Sequence, residues 1–195
     1  MNFFLRRSPA PAAPPQQPDP WTPEGLLVRV RYANLVGAQV LLYTRALSDG
    51  QASSDHGVHC LGCTRTWTMT DNTYPRPLDF ERGSERAAEH AGECRALPGP
   101  IPTRPDDETA VGMLTHRIAR SQQADFEFSL HTTEFAADRV LLQRTDGWIY
   151  EQFPVIAEQR PDLLAVTTDT TSAGTTHVYH QVQRRANTRT QVAAS

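Results

Sequence analysis

The sequence predicts an α+β protein with three ordered parts. These are a long N-terminal helix, a small zinc-stabilised unit of knuckle, β-hairpin and helix, and a C-terminal helix with a small antiparallel sheet. Three observations lead to this prediction. Apolar residues recur at helical spacing after Thr22. A Cys-x2-Cys pair is followed by a His-x3-Cys pair. Apolar and polar residues alternate in the last third of the chain, as they do in half-buried strands.

The chain has 195 residues, enough for one domain of ordinary size or two small ones. The predicted segments are 1–21, 22–50, 51–104, 105–183 and 184–195. The first segment is expected to be a disordered tail, because six of the 15 prolines fall within residues 1–20. The last segment is also expected to be a disordered tail. No apolar run reaches the roughly 18 residues of a membrane span, and the opening residues lack the charge order of a signal peptide. A cytoplasmic location is therefore expected.

Residues 22–50 are predicted to form one long helix. Thr22 is a suitable N-cap, and Asp49-Gly50 is a suitable end. The apolar stripe of this helix comprises Leu27, Val30, Val40, Leu41 and Leu47. The alternation at residues 28–31 also permits a strand, but the length of the pattern favours a helix. A long helix with an apolar stripe commonly packs on another helix, so residues 22–48 are the predicted surface for self-association or for a protein partner. Packing within the chain is the alternative.

The three cysteines of the chain form part of a two-part pattern of metal ligands. The first half is a Cys-x2-Cys knuckle, and the second is a His-x3-Cys pair whose members, at positions i and i+4, share one face of a helix. Three thiolates and one imidazole make a closed tetrahedral Zn²⁺ site of the structural type. The predicted zinc ligands are Cys60, Cys63, His90 and Cys94.

Local sequence supports the elements around this predicted zinc site. Ser84 is a suitable N-cap for the helix that carries His90, and residues 64–70 alternate as a strand of a β-hairpin. Two other interpretations remain open. His56 or His59 could replace His90 as the fourth ligand. The Cys-x2-Cys pair could instead be a redox pair, although that interpretation leaves the second half of the pattern unexplained.

The C-terminal part is predicted to begin with a helix that opens at the acidic residues 106–108. Asp146-Gly147 is a typical hairpin turn, although a helix over residues 133–143 is a competing prediction. His177 and His180 fall on opposite faces of the last strand and are expected at the surface. The predicted strands are Phe126–Leu130, Val140–Arg144, Trp148–Phe153, Leu164–Thr170 and Thr176–Val182.

The zinc-binding segment resembles a Cys-x2-Cys … His-Ala-x2-Cys-Arg-Ala segment of small, mostly uncharacterised actinobacterial proteins. Here residues 58–63 are Val-His-Cys-Leu-Gly-Cys, and residues 87–98 are Ala-Ala-Glu-His-Ala-Gly-Glu-Cys-Arg-Ala-Leu-Pro. The similar segment covers about 40 of the 195 residues. The resemblance implies a zinc-stabilised module without a specific activity. Some of the similar proteins are found beside plasmid or phage-like genes.

Charge and motif content restrict the function. Residues 51–105 hold seven acids and six arginines, and the helix that would enter a DNA groove carries Glu85, Glu89 and Glu93, which repel phosphate. The candidate nucleic-acid contacts are Arg65, Arg76, Arg184 and Arg185. The chain lacks the nucleophile elbow, the phosphate loop, His-Glu-x-x-His and the deaminase motif, so it is not expected to be an enzyme.

The predicted function is therefore that of a non-catalytic intracellular zinc-binding protein that acts as a protein-interaction or regulatory module. The alternative is a sequence-tolerant DNA-binding protein or a plasmid- or phage-associated regulator.

Overall fold

The computed structural model describes residues 21–47, 51–71, 75–122, 128–170 and 176–183. The tails expected to be disordered lie outside this part of the chain, apart from Trp21. The fold class is α+β, as predicted, with four helices among the described residues. In chain order the elements are β1 Leu26–Ala33, β2 Gln39–Ala46, β3 Ala52–Cys60, β4 Thr66–Trp67, α1 Phe80–Glu93, α2 Asp107–Ser121, β5 Phe128–Ser129, a 3₁₀ turn at Thr132–Phe135, α3 Arg139–Leu142, α4 Asp146–Gln159, β6 Leu164–Thr170 and β7 Thr176–Val182.

The strands β1 to β4 form an antiparallel sheet in chain order, and α1 packs on one of its faces. We call β1 to β4 with α1 the N-terminal lobe. Successive residues of a strand point to opposite faces, so Val40 and Leu42 of β2 pack towards α1. Leu41 and Tyr43 pack on the other face, against Val140 of α3.

The long helix predicted for residues 22–50 is wrong, because residues 26–46 form β1 and β2. Between the two strands Gly37 adopts a φ of 89°, which a helix does not accommodate. The side-chain oxygen of Asn34 accepts hydrogen bonds from the N–H groups of Val36 and Ala38 and fixes the same turn. Both faces of β2 are covered, so its apolar residues run consecutively and do not alternate. The described residues of the predicted interaction surface 22–48, which are residues 22–47, therefore present no helix face for self-association.

The boundary expected near residue 50 also falls inside this lobe. β2 pairs with β3 from Val40–Cys60 to Ala46–Ala52, so residues on both sides of the boundary share one sheet. Between β3 and α1 the predicted hairpin is shorter than expected. β4 has only two residues, and an isolated bridge joins Met69 to Pro77. Residues 72–74, between the two sides of the predicted hairpin, lie outside the described residues.

The elements from α2 to β7 form the C-terminal lobe. The prediction of α2 from the acidic residues 106–108 is confirmed, with Asp106 as its N-cap. The strands predicted at Leu164–Thr170 and Thr176–Val182 are also confirmed. They pair with each other, and β5 adds a third strand to give the order β5-β7-β6. His180, expected at the surface, is buried at 3% exposure. The core of this lobe lies between α2, α4 and the small sheet.

The hairpin predicted for residues 140–153 is wrong, because this segment is helical. Thr145 caps α4 by accepting a hydrogen bond from the N–H of Trp148, which places Asp146 in the first helical turn and not in a β-turn. The competing helix prediction for residues 133–143 is correct only in part. A 3₁₀ turn and the short α3 occupy this region, and Gln143 ends α3 at a φ of 48°.

Polar contacts join the two lobes. Asp146 of α4 forms ion pairs with Arg45 of β2 and with the fully buried Arg139 of α3. The hydroxyl of Tyr43 donates to the carbonyl of Ala136 at 3.1 Å. Within the C-terminal lobe, the buried Arg144 donates to Asp107 at 2.7 Å and to the carbonyl of Pro105, just before α2, at 2.6 Å. The sheet of the N-terminal lobe therefore lies between α1 and the segment that precedes α4.

Candidate metal centre

The structure brings together the four residues that the cysteine and histidine spacing selects. The ligand atoms of Cys60, Cys63, His90 and Cys94 all lie within 4.8 Å of one another. The Cys60 and Cys94 Sγ atoms are 4.0 Å apart, and the Cys63 Sγ is 3.3 Å from the Nε2 of His90. In a tetrahedral zinc site with Zn–S bonds of about 2.3 Å, neighbouring sulfur atoms are about 3.8 Å apart. This group could therefore hold one metal ion at its centre.

The knuckle that carries the first two ligands begins where β3 ends. Cys60 is the last residue of that strand, and the N–H of Thr64 donates to the Cys60 carbonyl at 2.9 Å, which closes the turn. A side chain on Gly62 would not fit, because its Cβ would lie 2.8 Å from the Cβ of Ala38 and 3.0 Å from the carbonyl oxygen of Leu97. The knuckle can therefore pack closely against the chain that follows α1.

Helix α1 supplies the second half of the site. It begins at Phe80 with Asp79 as its N-cap, so the N-cap predicted at Ser84 is wrong. The helix lies close to the sheet because its buried face is made of Gly83, Ala87 and Ala91. His90 lies in its last turn. Cys94 is the C-cap, and its N–H bonds the His90 carbonyl at 2.8 Å.

Burial and hydrogen bonds change the pKa values of the ligand thiols in opposite directions. Burial raises the pKa of the Cys60 thiol, and the N–H groups of Cys63 and Gly62 act in the opposite direction. Hydrogen bonds from the Ala96 N–H and the Asn34 side chain lower the pKa of the Cys94 thiol. Burial also lowers the pKa of His90. The hydrogen-bond donors favour the thiolate forms of the cysteines, and the lowered pKa of His90 favours the neutral imidazole. These are the forms that bind a cation.

Asn34 is a residue of this site that the sequence interpretation missed. It is buried, and besides fixing the β1–β2 turn it donates from Nδ2 to the carbonyl of Ala96 at 2.8 Å. It thereby joins the first turn of the sheet to the residues that follow Cys94. The signal in the sequence was Asn34 three positions before Gly37, a typical turn pattern that the apolar periodicity concealed.

Neither alternative histidine joins the cluster. His59 follows Val58 and precedes Cys60 on β3, so its side chain lies on the opposite face of the sheet from the Cys60 sulfur. Its Nδ1 lies 2.7 Å from the Thr66 hydroxyl, and burial lowers the pKa of His59 to about 4. His56 bonds the Ser54 carbonyl through Nδ1 and contacts the Phe80 ring.

Cationic and aromatic side chains surround the half-buried edge of the cluster. The ring of Trp67 is 4.8 Å from that of His90, and the guanidinium of Arg65 lies over Trp67 at 5.1 Å. Arg86 also approaches Trp67, but it forms ion pairs with Asp71 and Glu89. Of the other candidate nucleic-acid contacts, Arg76 is exposed on the chain that returns towards α1. Arg184 and Arg185 lie outside the described residues.

The donor set and its surroundings fit a closed cation site. Three thiols and one imidazole are the ligands that a tetrahedral, borderline-soft cation prefers. Cys60 and Cys94 are buried at 0% and 9% exposure, whereas Cys63 and His90 lie at the half-buried edge. Two of the ligands lie at and just after the end of β3, and the other two lie at the end of α1. A bound ion would therefore link these two elements.

No family model, curated protein or solved structure matches this chain. None of the helices formed by the described residues has the length and apolar character that a membrane crossing requires.

Proposed function

We propose that this protein is a non-catalytic zinc-binding module in which one Zn²⁺ ion has a structural role. The observation that carries the proposal is the convergence of four cysteine and histidine donor atoms within 4.8 Å. Four protein ligands complete the coordination of a tetrahedral zinc ion and leave no position for a substrate or an activated water. Such an ion stabilises the fold of a small lobe and performs no chemistry.

A protein-interaction or regulatory role inside the cell is the function that such a module serves best. The thiols must stay reduced to bind zinc, which favours a reducing compartment. The acids of α1 oppose phosphate, and the guanidinium of Arg86 on the same helix is already paired with Glu89 and Asp71.

The metal content of freshly purified protein tests this proposal. We expect about one equivalent of zinc per chain. We expect His90→Ala to lower that content strongly and His56→Ala, the matched control on β3, to leave it unchanged. Folded protein with well under half an equivalent of zinc would overturn the proposal.

Sequence-tolerant DNA binding, including a role as a plasmid- or phage-associated regulator, is the second candidate function. The observation that favours it is Arg65 over the ring of Trp67 at 5.1 Å, a combination that also occurs on surfaces that stack nucleobases. A titration with duplex and single-stranded DNA at two salt concentrations separates the candidates. DNA binding that weakens steeply with salt and is lost in Arg65→Ala supports this second function. Its absence supports the first.

A further inference from the structure

The outer edge of β6 is open among the described residues. β6 is the last strand in the order β5-β7-β6, and no described strand pairs with its other side. Val166 is 44% exposed, and Thr167 and Thr168 are also exposed. Consecutive residues point to opposite faces of a strand, so this part of the β6–β7 hairpin extends beyond the cover that α4 provides. A two-stranded ribbon without further cover is only marginally stable in water.

The hydrogen bonds of β7 identify the backbone groups that point outwards from β6. The N–H of Gln183 bonds the carbonyl of Leu163 at 2.9 Å, so this pair is of the hydrogen-bonded type. In an antiparallel ladder such pairs alternate with non-bonded ones. With the uninterrupted register from Leu164–Val182 to Thr170–Thr176, the odd-numbered residues of β6 therefore bond to β7. The N–H and C=O groups of Val166 and Thr168 point away from the sheet.

β1 is the longer of the two edge strands of the other sheet, and it has features that β6 lacks. β1 has an irregular register between Val28 and Val30 and carries the charged residues Arg29 and Arg31. The Arg31 guanidinium also donates to the carbonyl of Trp21 at 2.6 Å, which holds the preceding chain near the strand. Bulges, charges and covering segments are the features that prevent edge strands from pairing. β6 has a regular register and contains no lysine, arginine or proline.

We propose that β6 pairs antiparallel with β6 of a second copy, so that two three-stranded sheets join into one. In the two-fold register centred on Thr167, Val166 of one copy lies opposite Thr168 of the other, and the outward N–H and C=O groups of both residues are satisfied. The Thr167 side chains meet across the axis, a favourable cross-strand pair. Asp169, the single charged residue of β6, lies opposite Ala165, so no like charges meet.

This pairing would give the proposed interaction role a specific partner, a second copy of the chain. Its biological use rests on the proposed function. The pairing itself does not involve the metal ligands. A second copy is the favoured occupant because it presents an edge of the same length with complementary positions. An extended segment of another protein would bind to the same outward N–H and C=O groups of β6. In that case the purified protein would be a monomer.

Sedimentation velocity of the full chain at about 1 to 100 μM tests the pairing. We expect a concentration-dependent dimer. Thr168→Pro removes one outward N–H without touching the bonds to β7, and we expect it to raise the dimer dissociation constant at least about tenfold. Thr168→Val is the matched control, because it keeps the N–H, and we expect it to dimerise like the unaltered chain. A monomer at all concentrations, or an equally stable Thr168→Pro dimer, would overturn the proposal.

A second variant guards against misfolding caused by proline. Val166→Lys keeps every backbone group and adds the charge that natural edge strands use against pairing, so we expect it to be monomeric. A persistent dimer in this variant would also overturn the proposal. Zinc is measured on the same samples. A monomer with full zinc content contradicts only the pairing, whereas a dimer without zinc contradicts only the metal assignment.

Discussion

The core of the N-terminal lobe and the core of the C-terminal lobe are built from side chains of different size. The core between α1 and the first sheet consists of Val40, Leu42, Val58, Cys60, Leu78, Ala87, Ala91 and Cys94. The C-terminal core contains two buried phenylalanines and a larger set of leucines and isoleucines. Burial of apolar area stabilises a fold by about 25 cal/mol per Å², so small side chains contribute less. With the proposed zinc ion bound, we expect the N-terminal lobe to depend more on coordination and the C-terminal lobe more on apolar packing.

The largest effect that this comparison predicts follows the removal of one thiolate. We expect Cys60→Ser to lose zinc and to unfold the N-terminal lobe, because metal-coupled folding energy in such sites is on the order of 10 kcal/mol. The amides of α4 and β6 should keep their protection. Hydrogen exchange measured by mass spectrometry checks both expectations.

His59→Ala is the matched control for Cys60→Ser, since the two residues are neighbours on β3 but lie on opposite faces. We expect this variant to keep its zinc. Release of zinc by His59→Ala, without release by His90→Ala, would mean that the fourth ligand is assigned incorrectly.

The next effect concerns the apolar core of the C-terminal lobe. Phe153 is fully buried and lies 5.9 Å from the ring of Phe135, centroid to centroid. We expect Phe153→Ala to lower the free energy of unfolding by about 3–5 kcal/mol while the zinc content is unchanged. Urea unfolding and elemental analysis provide the two measurements. Phe80→Ala, at an exposed position on α1, should cost under about 1 kcal/mol. Loss of zinc in Phe153→Ala would show that the lobes are not separately stabilised.

The smallest effect is a pH dependence in the C-terminal lobe. The His180 ring lies edge-on to Tyr150 and Phe153, at 5.2 Å from each centroid, and its Nε2 lacks a hydrogen-bond partner among the described residues. Burial lowers the pKa of His180 from its ordinary value near 6.5. Below about pH 6.5 the unfolded chain therefore binds a proton that the folded chain does not, and the stability contribution is lost as the pH falls.

Urea unfolding of the C-terminal lobe between about pH 7.5 and 5 measures this effect. One such group changes the free energy of unfolding by at most about 1.4 kcal/mol per pH unit. His180→Leu should remove that contribution and leave the rest of the pH dependence, which includes the metal ligands. Identical slopes for the two proteins would contradict the assignment.

The parts of this molecule that the sequence predicts correctly depend on local signals. The spacing that brings Cys60, Cys63, His90 and Cys94 together, the acidic start of α2 and the strands β6 and β7 each depend on short stretches of chain.

The wrong predictions concern segments whose burial is decided by distant residues. β2 is apolar on both faces because α1 covers one face and the segment around Val140 covers the other, and neither is visible from residues 22–50. Asp146-Gly147 has the composition of a hairpin turn, but Thr145 caps a helix there and Asp146 pairs with Arg45 of the other lobe. Tertiary contacts of this kind override local preference.

X-ray absorption at the zinc edge of the purified protein tests the central claim most directly, because it counts the ligand atoms around the ion. The proposed site predicts three sulfur neighbours at about 2.3 Å and one nitrogen at about 2.0 Å, with no further neighbour in the first shell. A first shell dominated by oxygen and nitrogen, or one with fewer than three sulfur atoms, would contradict coordination by Cys60, Cys63, His90 and Cys94.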